Sequence, residues 1–419
     1  MDCIVINGGR TLQGEVTVSG AKNSALVIMA ATLLASGTHR ISGMPGLRDI
    51  RTMRKLLKNL GAEFSGSAEL LVNTENISYF EAPYELVKTM RASFLVLGPL
   101  LARFGRARVS LPGGCAIGLR PVDIHIKAFE ALGAAVDIEQ GYVNASCREL
   151  KGAHITFDVP TVGGTENIMM AACLAKGTTT IENAAREPEI VDLACALKKM
   201  GAHVQGEGTD VIKIEGVAEL KPLTYTVMPD RIEAGTFMVA AGITGGDIRI
   251  KNCPLHSMGS TVLKLQEAGL VIEEEQDKVH VRRNGPLKQV EIITNPYPGF
   301  PTDMQAQIMS LLTLTEGTSI IRETIFENRF IHVAELDRLG ASIKVEHDTA
   351  IIGGVKKLKG ATVMATDLRA SASLILSGLV AEGKTTVLRV YHLDRGYDCL
   401  EEKLKLLGAD MYRTIENDL

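Results

Sequence analysis

KNLGAEF, residues 58–64, holds a polar helix end, a glycine and the opening of a strand. Glycine after a helical run is the natural left-handed C-cap, and the apolar residues beyond it begin the next strand. The arrangement returns as EALGAAV (130–136), KKMGAHV (198–204), QEAGLVI (266–272), DRLGASI (337–343) and KLLGADM (405–411). The glycines are Gly61, Gly133, Gly201, Gly269, Gly340 and Gly408, spaced by 72, 68, 68, 71 and 68 residues. A second series runs in phase: LLASGTHRI, LLARFGRARVSL, LAKGTTTIEN, AAGITGGDIRI, LTLTEGTSIIRE and LVAEGKTTVLRV. Each is a helix end, a glycine turn and an alternating strand. The chain therefore holds six units, each with two helices and several strands, on a period longer than the usual solenoid repeats.

The segment AKNSALVIMAATLLASG, beginning at Ala21, is apolar nearly all round. Such a helix is buried on every side, so the units are expected to pack helix-inward with sheets outside. YTVMPDRI (225–232) lies midway, with three units on either side. The expected class is α/β (α+β): two domains, each of three repeats with buried helices. Residues 20–229 would form the first domain. Residues 230–419, joined by 1–19, would form the second, with the active site in a cleft between them.

Composition narrows the function. The 419 residues are 46% hydrophobic and 22% charged, which is globular. A net charge of −4, no tryptophan and 4% aromatics argue against a nucleic-acid partner. Seven cysteines without a CxxC suggest neither disulfides nor zinc, and point to a reducing cytoplasm. No signal peptide or membrane span is expected.

Helix starts carry the functional signal. First helices are expected to open at Lys22, Arg91, Thr165, Arg231, Asp303 and Arg369. Second helices are expected at Arg48, Arg120, Arg186, His256, Arg329 and Arg395. Nine of these twelve positions are Lys or Arg, although a helix N-terminus favours acids by about 0.3–1 kcal/mol. An anionic ligand would compensate the repeated wrong sign. Ion pairs with Asp49, Asp123 or Glu187 are the plainer alternative.

Cys115 rides the glycine-rich run GGCAIGLRP, five residues before Arg120. Pro121 fits the first helical position, and His125 follows a turn later. Cys173 and Cys195 sit in apolar runs and read as structural; Cys115 does not. A thiol beside cations can be a nucleophile or a general acid. Asp303, in YPGFPTDMQAQ, is either a helix cap or a base for a hydroxyl. Asp367, in ATDLRAS, is either a second pocket acid or a simple partner for Arg369.

The runs VSGAKNSAL, LPGGCAIGLRPVDIH, GTENIMMAA, MPDRIEAGTF, YPGFPTDMQAQ, ENRF and TDLRAS…LDRGYD resemble, in order and over essentially the whole chain, the UDP-N-acetylglucosamine 1-carboxyvinyltransferase family of enolpyruvyl transferases. The resemblance implies the inside-out α/β barrel, each domain made of three βαβαββ units. It implies phosphoenolpyruvate and UDP-N-acetylglucosamine as substrates, with no metal or organic cofactor. Cys115 matches a lid cysteine that acts as general acid, takes part in covalent adducts and is alkylated by fosfomycin. Asp303 matches the acceptor of the 3′-hydroxyl proton. Lys22, Arg120 and Arg395 match cations around phosphoenolpyruvate, with Arg91, Arg329 and Arg369 nearby. Asn23 matches a sugar-contacting amide and Ile325 an apolar contact beside the sugar. Arg120, Pro121, Val122, Asp123, Thr161, Val162 and Gly163 match the lining for uridine and diphosphate. Two departures stand out. Asp158-Val159-Pro160 replaces a cation that some members carry, and Leu95 replaces a tryptophan. The rivals are 5-enolpyruvylshikimate-3-phosphate synthase, which lacks the cysteine lid, and a silent UDP-sugar-binding paralogue, which would have lost Lys22, Cys115, Asp303 or Arg395.

Overall fold

The structure is a computed structural model and describes residues 2–67, 69–112 and 122–416. The glycines of both series adopt the left-handed conformation: φ runs from 87° to 111° for the series containing Gly61, and from 65° to 121° for the other. At Gly61 the amide bonds the Lys58 carbonyl at 3.0 Å, and the next amide, Ala62, bonds Leu57 at 2.9 Å. A Cβ-bearing residue would be strained there.

Two compact units result, one of residues 20–112 with 122–228, the other of 2–19 with 229–416. Each holds three four-stranded sheets among the described residues. The repeat is clearest at 154–215. Strand His154–Thr156 leads through helix Val162–Ala172 to strand Thr178–Glu182, with which it pairs in parallel. Helix Pro188–Met200 follows, then a hairpin of His203–Gln205 and Val211–Glu215. This is βαβαββ. A parallel pair cannot be joined by a tight turn, so a helix must cross between the strands.

Both units borrow strands from distant sequence. Thr224–Thr226 completes the sheet of Thr38–Ser42, with Tyr225 opposite Ile41. Gln13–Thr17 pairs in parallel with Asp247–Lys251. Asp2–Asn7 lies between Lys384–Leu388 and Asp410–Ile415, antiparallel to both.

The first helix of each repeat is an inner one. Ser24–Ala31, Gly164–Ala172, Ile232–Ile243, Gln305–Leu312 and Arg369–Gly378 are buried throughout. The second helices are amphipathic and lie outside. Arg48–Leu60 buries Asp49, Ile50, Met53, Leu56, Leu57 and Leu60, the 3–4 spacing of a one-sided helix. Each unit has its own hydrophobic core.

Several expected helix starts shift. Lys22, Arg48 and Arg231 do open helices, but Thr165 lies inside Val162–Ala172. Arg91 and Asp303 lie in short 3₁₀ turns ahead of Leu97–Phe104 and Gln305–Leu312. Arg186, His256, Arg329 and Arg395 precede helices that open at Pro188, Gly259, Val333 and Leu400. The connections before these outer helices are thus longer than the pattern suggests, and those at His256 and Arg395 contain 3₁₀ turns. Cys195, read as buried, is exposed on the solvent side of Pro188–Met200, whereas Cys173 is buried.

His39 secures the borrowed strand of the first unit. Its Nδ1 accepts from the Leu223 amide at 3.0 Å, so the ring proton sits on Nε2, 3.1 Å from Thr74 Oγ1. The Thr74 hydroxyl in turn donates to the Ala35 carbonyl at 2.7 Å. Burial is the main cause that lowers His39 to about 4, with Arg103 adding to it. The unfolded chain protonates this ring below about 6.5 while the native state resists until about 4. Stability is therefore lost as pH falls through that window, by about 3 kcal/mol for this residue. Urea unfolding of wild type and His39→Gln at pH 7 and pH 5 checks this: the variant, which keeps an acceptor and a donor, loses less stability on acidification.

Candidate active site

In the unit of residues 20–228, Lys22 opens an inner helix with no side chain capping it. Lys22 Nζ lies 2.9 Å from Asp49 Oδ2, on the first turn of the neighbouring outer helix, and both side chains are nearly buried. An ammonium at the positive end of a helix costs energy, and the Asp49 carboxylate offsets it. Asn23 is exposed. Ser24 turns inward and donates its hydroxyl to the buried Asp192.

A second group gathers around His125. Val122 caps the helix Asp123–Ala131, whose first residue Asp123 is exposed. Thr161 caps Val162–Ala172, its Oγ1 accepting from the Gly164 amide at 3.2 Å. A Cβ placed on Gly163 would meet His125 Cε1 at 3.6 Å, so Val122–His125 and Thr161–Gly163 are neighbours. Val159 and Val162 are exposed beside them. The His125 ring packs edge-on to Phe94, with centroids 5.1 Å apart. Burial, then the charge of Arg91, lowers His125 to about 4 and keeps it neutral at pH 7. Arg91 is half-buried at the start of its 3₁₀ turn. Cys115, Arg120 and Pro121 lie outside the described residues.

In the unit of 2–19 and 229–416, Asp303 is not a helix cap. Its Oδ1 accepts from Arg329 Nη2 at 2.9 Å. Its Oδ2 accepts from Arg369 Nε at 3.1 Å and Nη2 at 2.9 Å. The two guanidinium side chains are only 4% and 2% exposed, the carboxylate side chain 28%, which leaves the acid as the accessible member of the trio. Burial alone would raise the Asp303 carboxyl, but Arg369 and Arg329 overcome it and hold the group far below the usual carboxylate range. Arg369 also lies over the Tyr397 ring at 5.3 Å. Among the described residues, Arg369 Nη1 has no hydrogen-bond partner. Asp367 is the cap of the next inner helix, accepting the backbone amides of Arg369 and Ala370 at 2.7 and 3.0 Å. Its side chain serves the Arg369 backbone, and the Arg369 guanidinium belongs to Asp303.

Arg395 ends the 3₁₀ turn Val390–Arg395. The turn is held by Asp394, which Arg413 grips at 3.0 and 2.6 Å while also reaching Glu401 at 2.7 Å. Ile325 is half-buried on the loop before Arg329. Sequence reasoning missed two acids. Glu166 lies buried in an inner helix, where burial and then Glu189 and Glu187 push its carboxyl well above the usual range. Glu323 is buried beside Thr302. A polar residue inside an otherwise apolar run, as in GTENI, was the available signal for Glu166.

A family model described as EPSP synthase (3-phosphoshikimate 1-carboxyvinyltransferase) matches residues 6–404. The chain is 59% identical over 417 residues to the UDP-N-acetylglucosamine 1-carboxyvinyltransferase of Geotalea uraniireducens, covering 99% of this chain and 100% of that one. This chain belongs to that enolpyruvyl transferase family. The like-named protein of Thermodesulfovibrio yellowstonii is 58% identical, again over 99% of this chain and 100% of its own. Among solved structures, the enolpyruvyl transferase NikO from Streptomyces tendae superimposes with a TM-score of 0.89 at 26% identity over 99% of each chain. EPSP synthase from Acinetobacter baumannii shares the fold, with a TM-score of 0.77 at 19% identity over 99% of this chain and 100% of that one. The six repeats with buried inner helices thus belong to the enolpyruvyl transferase fold, as the resemblance implied.

Among the described residues of this family member, no group of three or more His, Cys, Asp or Glu is placed to hold a metal ion. No described helix is long and apolar enough to cross a membrane. The Asp303 trio is a charge cluster whose two cations are nearly buried. Asp303→Asn would strand two buried guanidinium groups, and equilibrium urea unfolding at pH 7 is expected to show a loss of about 3 kcal/mol.

Proposed function

We propose that the protein transfers the enolpyruvyl group of phosphoenolpyruvate to the 3′-hydroxyl of UDP-N-acetylglucosamine with release of phosphate, the first committed step of peptidoglycan synthesis. The observation that carries this reading is the full-length identity of 59% to a relative so named, in a chain that keeps Lys22, Cys115, Asp303 and Arg395. In the same reading the enzyme works in the cytoplasm, supports cell shape and division, and is alkylated by fosfomycin at Cys115.

The chemistry divides into an addition and an elimination. In the addition, the 3′-oxygen bonds to C2 of phosphoenolpyruvate, C3 gains a proton and the hydroxyl loses one. Cys115 supplies the proton to C3, and Asp303 takes the proton of the hydroxyl. Lys22, Arg120 and Arg395, with Arg91, Arg329 and Arg369, neutralise the phosphate and carboxylate while positive charge builds at C2. In the elimination, the C2–O bond to phosphate breaks and the methyl group returns a proton, which restores the double bond in the product. Asn23 and Ile325 orient the sugar. Val122, Asp123, Pro121 and the 161–163 turn hold the uridine and diphosphate.

Asp303 starts in a poor state for a base, because two arginines hold it ionised and weakly basic. An anionic substrate that competes for Arg369 or Arg329 removes part of that stabilisation and raises the basicity of the carboxylate. Substrate binding and activation of the base are then one event.

Phosphate release from phosphoenolpyruvate, followed with and without UDP-N-acetylglucosamine, tests the assignment. Release is expected to require the sugar nucleotide and to fall by roughly 10²–10⁴-fold in Cys115→Ala and in Asp303→Asn. Wild type that binds the sugar nucleotide but releases no phosphate would mark a silent paralogue.

A further inference from the structure

We propose that Glu323 is a positioning residue, a buried carboxylate that fixes the seat of the acceptor sugar and the base Asp303 relative to each other. The inference deepens the reading above and rests on it for the names of the substrates.

Glu323 follows the strand Thr318–Arg322 and is 3% exposed. Its Oε1 accepts from the Ile325 amide at 2.8 Å, the Phe326 amide at 3.2 Å and the Thr294 hydroxyl at 2.8 Å. Its Oε2 accepts from the Thr302 hydroxyl at 2.8 Å. Thr302 has a single hydroxyl proton, and Glu323 takes it. The lone pairs of Thr302 Oγ1 are then left to face Arg329, whose Nη1 donates to that oxygen at 3.1 Å. Arg329 Nη2 carries the chain on to Asp303 at 2.9 Å. One branch from Glu323 thus shapes the loop that presents Ile325. The other orients Thr302, Arg329 and Asp303 in sequence. Glu323 touches none of the reacting atoms in this arrangement, so its influence passes through its neighbours.

The donors around Glu323 fit a carboxylate and not an amide. In Glu323→Gln, if Oε1 keeps the two backbone amides, the new NH₂ faces Thr302 Oγ1. The Thr302 proton must then turn toward Arg329, which has only protons to offer. If the amide flips instead, its NH₂ faces the Ile325 and Phe326 amides and the loop branch breaks, so neither orientation of the amide serves both branches. Thr302→Val preserves shape, removes the hydroxyl and cuts only the branch to Arg329.

The two variants separate positioning from general damage. Glu323→Gln is expected to raise the Kd of UDP-N-acetylglucosamine by calorimetry, and its KM, by roughly tenfold, and to lower kcat by roughly 10–100-fold. Thr302→Val is expected to lower kcat by roughly tenfold with the sugar-nucleotide Kd within about twofold of wild type. Side-chain ¹⁵N spectra of labelled arginine, assigned with Arg329→Lys, are expected to show the Arg329 Nη signals shifted in both variants. Unchanged Kd and kcat in Glu323→Gln, or a Thr302→Val variant that loses sugar binding as Glu323→Gln does, would overturn the proposal. Should Glu323→Gln fail to fold, the kcat-against-Kd split of Thr302→Val decides. Should wild type bind the sugar nucleotide without turnover, the functional reading fails, while Kd and the Arg329 signals still judge Glu323. Arg329 signals unmoved in both variants would sink it in every case.

Discussion

A helix buried along its whole length has only its ends on which to carry polar chemistry. That constraint governs both units. The inner helices are buried in every direction, with neutral polar residues such as Asn167, Gln307 and Ser373 hydrogen-bonded along them. Charged groups collect near where those helices begin: Lys22, Asp303 in the turn before Gln305–Leu312, and Arg369. Each such group sits at a helix end whose amides already attract negative charge. Cations there need a counter-charge, and each unit provides one. Asp49 serves Lys22, and Asp303 serves Arg329 and Arg369.

The two solutions differ in what they leave available. Lys22 and Asp49 are both nearly buried and face each other at 2.9 Å. Asp303 faces two cations, so the trio retains one net positive charge, and its acid keeps contact with solvent. An arrangement of two cations and one carboxylate attracts an anion and still holds a group able to accept a proton. A buried ion pair removed on one side is costly, so these residues contribute to folding whatever else they do.

The repeat was legible because glycine conformation is local. A C-cap needs positive φ whatever surrounds it, so twelve phased glycines were enough to count the units. The all-apolar stretch after Lys22 likewise announced a buried helix. The exact helix starts were less legible, because a 3₁₀ turn and the first turn of an α-helix draw on the same polar residues, as at Arg91, Asp303 and Arg395. Charge pairing was least legible. Asp367 is two residues from Arg369 and looked like its partner, yet the guanidinium reaches Asp303, 66 positions away. Glu323 gave no signal, since its four donors come from two segments, 294–302 and 325–326, and those of the first lie 29 and 21 residues away in sequence.

The strand at residues 2–7 has a temporal consequence. It is synthesised some 380 residues or more before its two neighbours, residues 384–388 and 410–415, are complete. At about 5–20 residues per second, the wait is roughly 20–80 s. During it, both edges of Asp2–Asn7 are unpaired, while the segment 20–228 can complete its own sheets. Newly made protein is therefore vulnerable to wrong strand pairing at residues 2–7 until residues 384–415 have been added.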